Sequence, residues 1–360
     1  MKRLGTIMEP QPGNAMEVEG ILNPAGARGP DGHYYLFPRL VARGNYSRIG
    51  LARVKYNDDG DPVDVERLGI ALEPEADYEF RGNKAGGCED PRINYCEDIK
   101  RYVMTYTALS PHGPRIALAL SQDLVHWDRR GLATFRSYDG ITFEGVDNKD
   151  ASVFPAAIPD PEGKTAMALL HRPLFPGTTP EETARQPEQR DVDLHRESIW
   201  ISYSPLDADP SAPYHLRNFT LHNRLASPVK RWEQLKIGGG TPPIMTRHGW
   251  MIVYHGVHKL DEPGSVDKKL CYSAGVMILN KEHPRQIRYR SPEPILVPEL
   301  PEEKVGTVAN VVFPTAIDRR SDLGQPHRYD IYYGMADNRI GVARLDVPES
   351  LPPGAHADAP

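Results

Sequence analysis

Residues 88–121 read CEDPRINYCEDIKRYVMTYTALSPHGPRIALALS, and the order of their apolar runs decides the fold. A short proline-marked segment, CEDPRI, leads into an aromatic-rich run, RYVMTYTAL. A Pro-Gly turn then returns a second apolar run, RIALALS. Runs of this length, rich in Val, Ile, Tyr and Thr and bounded by Gly, Pro and Asp, read as strands. The same three-part module recurs in both directions along the chain. Its proline-marked member is ILNPAG (21–26), SVFPAAI (152–158), TPPIM (241–245) and VVFPTAI (311–317). Its aromatic-rich member is HYYLFPRL (33–40), KTAMALLHRP (164–173), GWMIVYHGV (249–257) and RYDIYYGMAD (328–337). Its return strand is RIGLARV (48–54), SIWISYS (198–204), LCYSAGVMI (270–278) and RIGVARL (339–345). The aromatic-rich members begin at 33, 101, 164, 249 and 328, an interval of 63 to 85 residues. That is longer than the shortest propeller repeats but suits a four-stranded blade with decorated loops. The expected fold is all-β, a single five-bladed β-propeller over 20–347, with an N-terminal extension over 1–19 and a frayed tail over 348–360. A β-sandwich from the same strands is the alternative, and the five-fold recurrence favours the propeller.

Composition narrows the function classes. The 360 residues include 35 Pro and 31 Gly beside 39% hydrophobic residues, which argues for many short elements joined by turns. The formal net charge is -6 with Lys and Arg scattered, so no basic face points to nucleic acid or an anionic membrane. The first residues, MKRLGTIMEPQPGNAM, contain no apolar run that could serve as a signal peptide. No stretch approaches the roughly 20 apolar residues of a membrane span. Cys88, Cys96 and Cys271 cannot all pair within the chain and do not form a zinc spacing, so a cytoplasmic location is expected. No His/carboxylate cluster suggests a metal, and no GxSxG elbow suggests a serine nucleophile. Homo-oligomerisation stays open, because no unpaired apolar helix marks an interface.

In a propeller the starts of the first strands converge on a central channel. The matching positions are Asn23, Asp90, the Asp150 region, Thr241 and Asn310. Asp90 thereby changes from an ambiguous turn carboxylate into a candidate pocket residue. Arg92, two residues along a strand, is expected on the same side as Asp90, and Glu89 on the other, in a structural role.

GCEDPRI, NKDASVFP with HRP, KIGGGTPPI, GWMIVYHGV, NVVFP and YYGMAD occur in an order that resembles glycoside hydrolase family 130, over roughly residues 20–345. That family comprises β-mannoside phosphorylases and related β-mannosidases on a five-bladed propeller. Cys88 and the third glycine of KIGGG depart from its pattern, and 174–197 is a long polar insertion. The resemblance implies that Asp90 is the catalytic acid, donating its proton through the sugar 3-hydroxyl. It places Arg172, Lys236 and His255 at phosphate, with Asn148 and Lys149 at the matching strand start. It puts Arg39, Asn45, Ser47 and Asp337 at the sugar, and Arg92 is expected to orient substrate hydroxyls. Arg offers a rigid donor fork for phosphate oxygens, Lys a compact charge, and His a neutral donor or a cation. The glycine run Gly238–Gly240 lacks the Gly-Lys-Ser/Thr of a P-loop, and its expected role is to let backbone approach the pocket. Tyr254 and Tyr333 are read as blade core.

Phosphorolysis with inversion needs one acid and a bound phosphate, whereas an inverting hydrolase needs a second carboxylate to activate water. The retained cations favour phosphorolysis of a β-mannosidic disaccharide or short oligosaccharide to α-mannose 1-phosphate. Inorganic phosphate is then a co-substrate, and no other cofactor is expected. The alternatives are a β-mannosidase on the same fold and a non-catalytic glycan-binding propeller. The linkage, β-1,2 or β-1,4, is left open.

Overall fold

The computed structural model describes residues 1–80, 82, 85–175, 196–206, 216–260 and 269–352. Most of the insertion expected at 174–197, and residues 353–360 of the expected tail, lie outside them.

The structure is almost entirely antiparallel β-sheet, and its strands fall into five units of four. Unit 1 is Gly20–Arg28, Tyr34–Ala42, Tyr46–Tyr56 and Pro62–Leu72. Unit 2 is Gly86–Cys96, Arg101–Ser110, Gly113–Ser121 and Asp128–Leu132. Unit 3 is Asp147–Val153, Thr165–Leu174, Ile199–Pro205 and Asn218–Ala226. Unit 4 opens with the short Lys236–Gly238 and Ile244–Thr246, both paired with Gly249–Lys259, and continues through Leu270–Leu279 and Ile287–Arg290. Unit 5 is Val312–Arg319, Arg328–Met335, Arg339–Asp346 and, from the other end of the chain, Lys2–Met8.

That last pairing corrects the expectation for residues 1–19. Lys2–Met8 covers the edge of Arg339–Asp346, which would otherwise present unpaired N–H and C=O groups. At the other terminus, Leu351 packs partly against the apolar cluster of units 4 and 5.

In units 2 to 5 the second strand is buried along nearly its whole length, because it is covered on both faces by neighbouring units. Five hydrophobic clusters fill the spaces between them. Phe37 and Leu51 meet Ile93 and Met104 between units 1 and 2, and Val103 and Leu118 meet Val153 and Leu169 between units 2 and 3. Leu170 and Ile201 meet Ile252 and Trp250 between units 3 and 4, and Val253 meets Ile331 between units 4 and 5. Ile340 and Tyr332 meet Ile21 and Leu36 between units 5 and 1. Each unit therefore shares apolar surface with two others in cyclic order.

Three units carry the same buried clasp, which the strand pattern did not reveal. Glu79, Glu233 and Glu303 are fully buried and stand just before the first strands of units 2, 4 and 5. Each accepts a tyrosine hydroxyl from the second strand: Tyr106 at 2.6 Å, Tyr254 at 2.5 Å and Tyr333 at 2.9 Å. Each also accepts from an arginine of the fourth strand: Arg129 at 3.0 Å, Arg290 at 2.6 Å and Arg3 at 2.9 Å. Two backbone N–H groups complete every clasp, from Glu75 and Ala76, Val229 and Lys230, or Glu299 and Leu300. Burying a carboxylate is tolerable only when its lone pairs are satisfied in this way.

Deleting one partner strands a buried charge, so Arg290→Met should destabilise the protein by about 3–5 kcal/mol. Arg3→Met should cost less, because 22% of its side chain stays in water while none of Arg290 does. Urea unfolding of the two variants checks both the magnitude and the order. A neutral Arg3→Met would mean that the N-terminal strand does not hold unit 5 together.

Candidate active site

Arg39, Asp90, Lys149, Arg172 and His255, all singled out in the sequence, come from one shared register. In each unit, a residue of the second strand pairs across the ladder with a residue of the first: Arg39 with Leu22, Thr107 with Glu89, Arg172 with Lys149, His255 with Gly238 and Gly334 with Phe313. In units 1 to 3 the next residue of the first strand is Asn23, Asp90 or Asp150, with φ of 44°, 46° and 55°. The ladder skips there in all three. A left-handed non-glycine residue is costly, and Asn and Asp bear it best. The bulge turns the polar side chain out of the alternating pattern, and its recurrence gathers the chemistry at one level of the fold.

Arg39 organises the acid side. Its Nε donates to Ser47 Oγ at 2.9 Å, and Nη2 donates to Asn45 Oδ1 at 2.9 Å and Glu89 Oε1 at 2.7 Å. Its Nη1 donates to Asp90 Oδ1 at 3.2 Å, and Asn23 Nδ2 reaches the same oxygen at 2.9 Å. Asn45 and Ser47 thus hold the arginine. Glu89 is not turned away as strand alternation predicts, because the bulge at Asp90 brings both carboxylates to Arg39. Asp337 stands near this group: burial and then the negative charge of Asp90 push its carboxyl up to about 6, with Arg39 opposing.

Arg92 also differs from its expectation. It is buried, donates from Nε to Gly240 O at 2.5 Å and from Nη1 to the carbonyls of Asp90 and Pro91, and lies 5.7 Å from the Phe313 ring. It is a strut between units 2 and 4, with only Nη2 left without a hydrogen-bond partner.

A second cluster surrounds Asp150, whose region the sequence reading placed at a converging strand start without giving it a role. Arg172 Nε donates to Asp150 Oδ2 at 2.6 Å, and His255 Nε2 lies 3.7 Å from the same oxygen. Burial alone would raise the Asp150 carboxyl, but Arg172 and His255 hold it well below the usual carboxylate range. A Cβ on Gly238 would collide with Asp150 and the His255 ring, and one on Gly240 with the Val253 carbonyl. The glycine run therefore does admit close backbone. His255 packs on Phe313 with ring centroids 4.4 Å apart, and burial pulls its imidazole down to about 3. It is a neutral group at physiological pH rather than a cation, and among the described residues neither ring nitrogen has a hydrogen-bond partner.

Lys236 lies 5.7 Å above the Tyr272 ring, and its Nζ is 3.9 Å from Glu197 Oε2. Burial, then Arg172, lower its ammonium to about 8. Lys149 is lowered for the same two reasons, and it also feels Glu89 and Asp90, which links the two clusters. Glu197, beyond the reach of the motif reading, sets the same Oε2 against Arg172 Nη1.

Asn148 is not part of this set. Its amide faces His171 Nδ1 at 3.0 Å, and a buried chain continues from His171 Nε2 to Ser202 Oγ and on to His222 Nδ1, each step 2.7 Å. His222 Nε2 ends the chain at the Arg136 carbonyl, 2.8 Å away. Burial pulls both imidazoles below their ordinary value, so the chain is neutral. Among the described residues no group of three or more His, Cys, Asp or Glu is placed to hold a metal ion.

Comparison with known proteins adds an independent line. A family model described as β-1,4-mannooligosaccharide phosphorylase, of glycoside hydrolase family 130, matches residues 14–351. A 1,2-β-oligomannan phosphorylase from Thermoanaerobacter sp. (strain X514) is 31% identical over 96% of this chain and 97% of its own. In three dimensions, β-1,2-mannobiose phosphorylase from Listeria innocua, in complex with β-1,2-mannobiose, superposes with a TM-score of 0.66. It is 22% identical, and the match covers 95% of this chain and 94% of that one. A structure from a study of glycoside hydrolases that target β-1,2-mannosidic linkages in Candida mannan also gives 0.66, at 22% identity, over 100% and 97%. At these identities the structural likeness concerns the fold alone.

The raised Asp337 carboxyl makes a prediction about stability. Its folded value of about 6 exceeds the ordinary 3.8, so between those values the folded chain holds a proton that the unfolded chain releases. Stability from this group is therefore highest below about pH 4 and is lost as pH rises through about 6, a change of about 2–3 kcal/mol. Asp337→Asn should abolish that slope. Urea unfolding at pH 4 and pH 7 should show the wild type losing stability relative to the variant at the higher pH; an unchanged difference would contradict the placement.

Proposed function

The chain belongs to glycoside hydrolase family 130, and from that premise we propose that it is an inverting β-mannoside phosphorylase. It cleaves a β-mannosidic disaccharide or short oligosaccharide with inorganic phosphate and yields α-mannose 1-phosphate. The observation that carries this reading is the pairing of two clusters: Asp90 held by Arg39 and Asn23, and Arg172, Lys236 and neutral His255 gathered around Asp150. A phosphate oxygen forms the new bond at the anomeric carbon while the bond to the departing sugar breaks. Asp90 supplies the proton to the departing oxygen, through the sugar 3-hydroxyl as the family resemblance implies. Oδ1 of Asp90 receives both Arg39 and Asn23, which leaves Oδ2 for the proton. Arg172 and Lys236 offer the anion charge and donors, and His255 offers one neutral N–H. Arg39, Asn45, Ser47 and Asp337 line the sugar side; Lys149 stands between the halves.

For the scaffold we propose a closed five-bladed β-propeller spanning residues 2–347. Its support is the cyclic series of apolar clusters between the five units. Three buried, unpaired thiols support a reducing, cytoplasmic setting. One observation favours the β-mannosidase alternative: Glu197 brings a carboxylate into the cation cluster, where hydrolysis would need one.

The roles separate kinetically. Asp90→Asn should lower turnover of an unactivated β-mannoside by about 10²–10⁴-fold while phosphate binding persists. Lys236→Met should raise the KM for phosphate and lower the maximal rate, with little change for the disaccharide. Because the Lys236 ammonium lies at about 8, phosphate affinity of the free enzyme should fall as pH rises through that value, and Lys236→Arg should remove the fall. Initial rates over a matrix of phosphate and disaccharide concentrations check all of these, with folding followed by circular dichroism. A folded Lys236→Met that weakens only sugar binding would move Lys236 to the sugar site.

A further inference from the structure

Glu197 sets its carboxylate between the two cations Arg172 and Lys236. Arg172 has already given Nε to Asp150, so its terminal nitrogens are what remain for a ligand. Glu197 Oε2 lies against one of them, Nη1, and 3.9 Å from the Lys236 ammonium. The side chain as a whole is 27% exposed, while Oε2 itself is buried against the two cations. Its backbone is fixed, since Glu197 O accepts from Ile237 N at 3.1 Å, on the residue next to Lys236. The carboxylate is thus an anionic oxygen tethered within reach of two cationic donors.

We propose that Glu197 determines which anion enters the site, acting as an internal competitor for Arg172 and Lys236. Binding of an external anion swings the carboxylate out, so the ligand must outdo what Glu197 already provides. A singly charged oxyanion replaces it charge for charge and gains little. A doubly charged tetrahedral oxyanion brings an extra charge and further oxygens and wins the exchange. This inference rests on the phosphorylase reading and assigns the selectivity of that same site.

The test compares wild type with Glu197→Gln, an isosteric change that keeps the side chain and removes its charge. The substrate is whichever of β-1,2- and β-1,4-mannobiose the wild type turns over. The KM for inorganic phosphate should fall about tenfold, which corresponds to about 1.4 kcal/mol. The KM for mannobiose should change much less than the KM for phosphate, because the lost charge faces the anion. Acetate, a weak competitor of phosphate in the wild type, should inhibit the variant at clearly lower concentration. An unchanged or raised KM for phosphate overturns the inference. So does a variant that loses phosphate-independent mannose release while its phosphate kinetics are unaltered, because Glu197 would then serve water. If Glu197→Gln does not fold, Glu197→Asp withdraws the carboxylate by one methylene and should lower the same KM; no change there overturns the inference too. A wild type that forms no mannose 1-phosphate refutes the phosphorylase reading itself, a result distinct from all of these.

Discussion

The ion pair between Asp150 and Arg172 is the constraint on which the anion side of the molecule depends. Asp150 is buried in unit 3, and its carboxylate persists there because Arg172 Nε meets it at 2.6 Å. That contact fixes the guanidinium plane, whose Nη1 then meets Glu197. The same oxygen lies 3.7 Å from His255 Nε2, so one carboxylate stands beside groups from two units. It also dictates the first strand of unit 4, where Gly238 has no Cβ to collide with either partner. Breaking the pair would leave a buried charge without a counterion, a cost of about 3–5 kcal/mol.

The scaffold achieves this placement by repetition. Each second strand sets one residue at the same register, opposite Leu22, Glu89, Lys149, Gly238 or Phe313, and in units 1, 3 and 4 that residue is Arg39, Arg172 or His255. One position earlier, Tyr106, Tyr254 and Tyr333 close the buried glutamate clasps. Unit 3 replaces the tyrosine with His171, which joins Ser202 and His222 among Phe135 and Phe143. In unit 4 the two functions fall on adjacent residues, Tyr254 closing the clasp and His255 facing Asp150.

Much of this was legible in the sequence, and the limits have physical reasons. The five-fold module was visible because strand periodicity and turn residues are local signals, and Asn23, Asp90 and Asp150 were marked by their shared offset within it. The family motifs then named Asp90, Arg172, Lys236 and His255. The orientations of Glu89 and Arg92 were misjudged because alternation along a strand fails at a bulge, and a positive φ at Asp90 leaves no distinct trace in EDPRI. Asn148 was grouped with the phosphate set by position, but a hydrogen bond to His171 23 residues away claims its amide. The part of Lys2–Met8 in unit 5 was hidden because its partner strand lies at the opposite end of the chain. Glu197 was missed because it sits at the edge of a polar insertion with no periodic pattern.

The central claim is that phosphate, and not water, is the nucleophile. Phosphorus-31 NMR of the wild-type enzyme with β-1,2- or β-1,4-mannobiose, in the presence and absence of inorganic phosphate, tests it directly. The account predicts a growing α-mannose 1-phosphate resonance that matches the loss of inorganic phosphate, and negligible mannobiose cleavage when phosphate is left out. Free mannose formed at the same rate with or without phosphate, and no phosphorylated sugar, would contradict it.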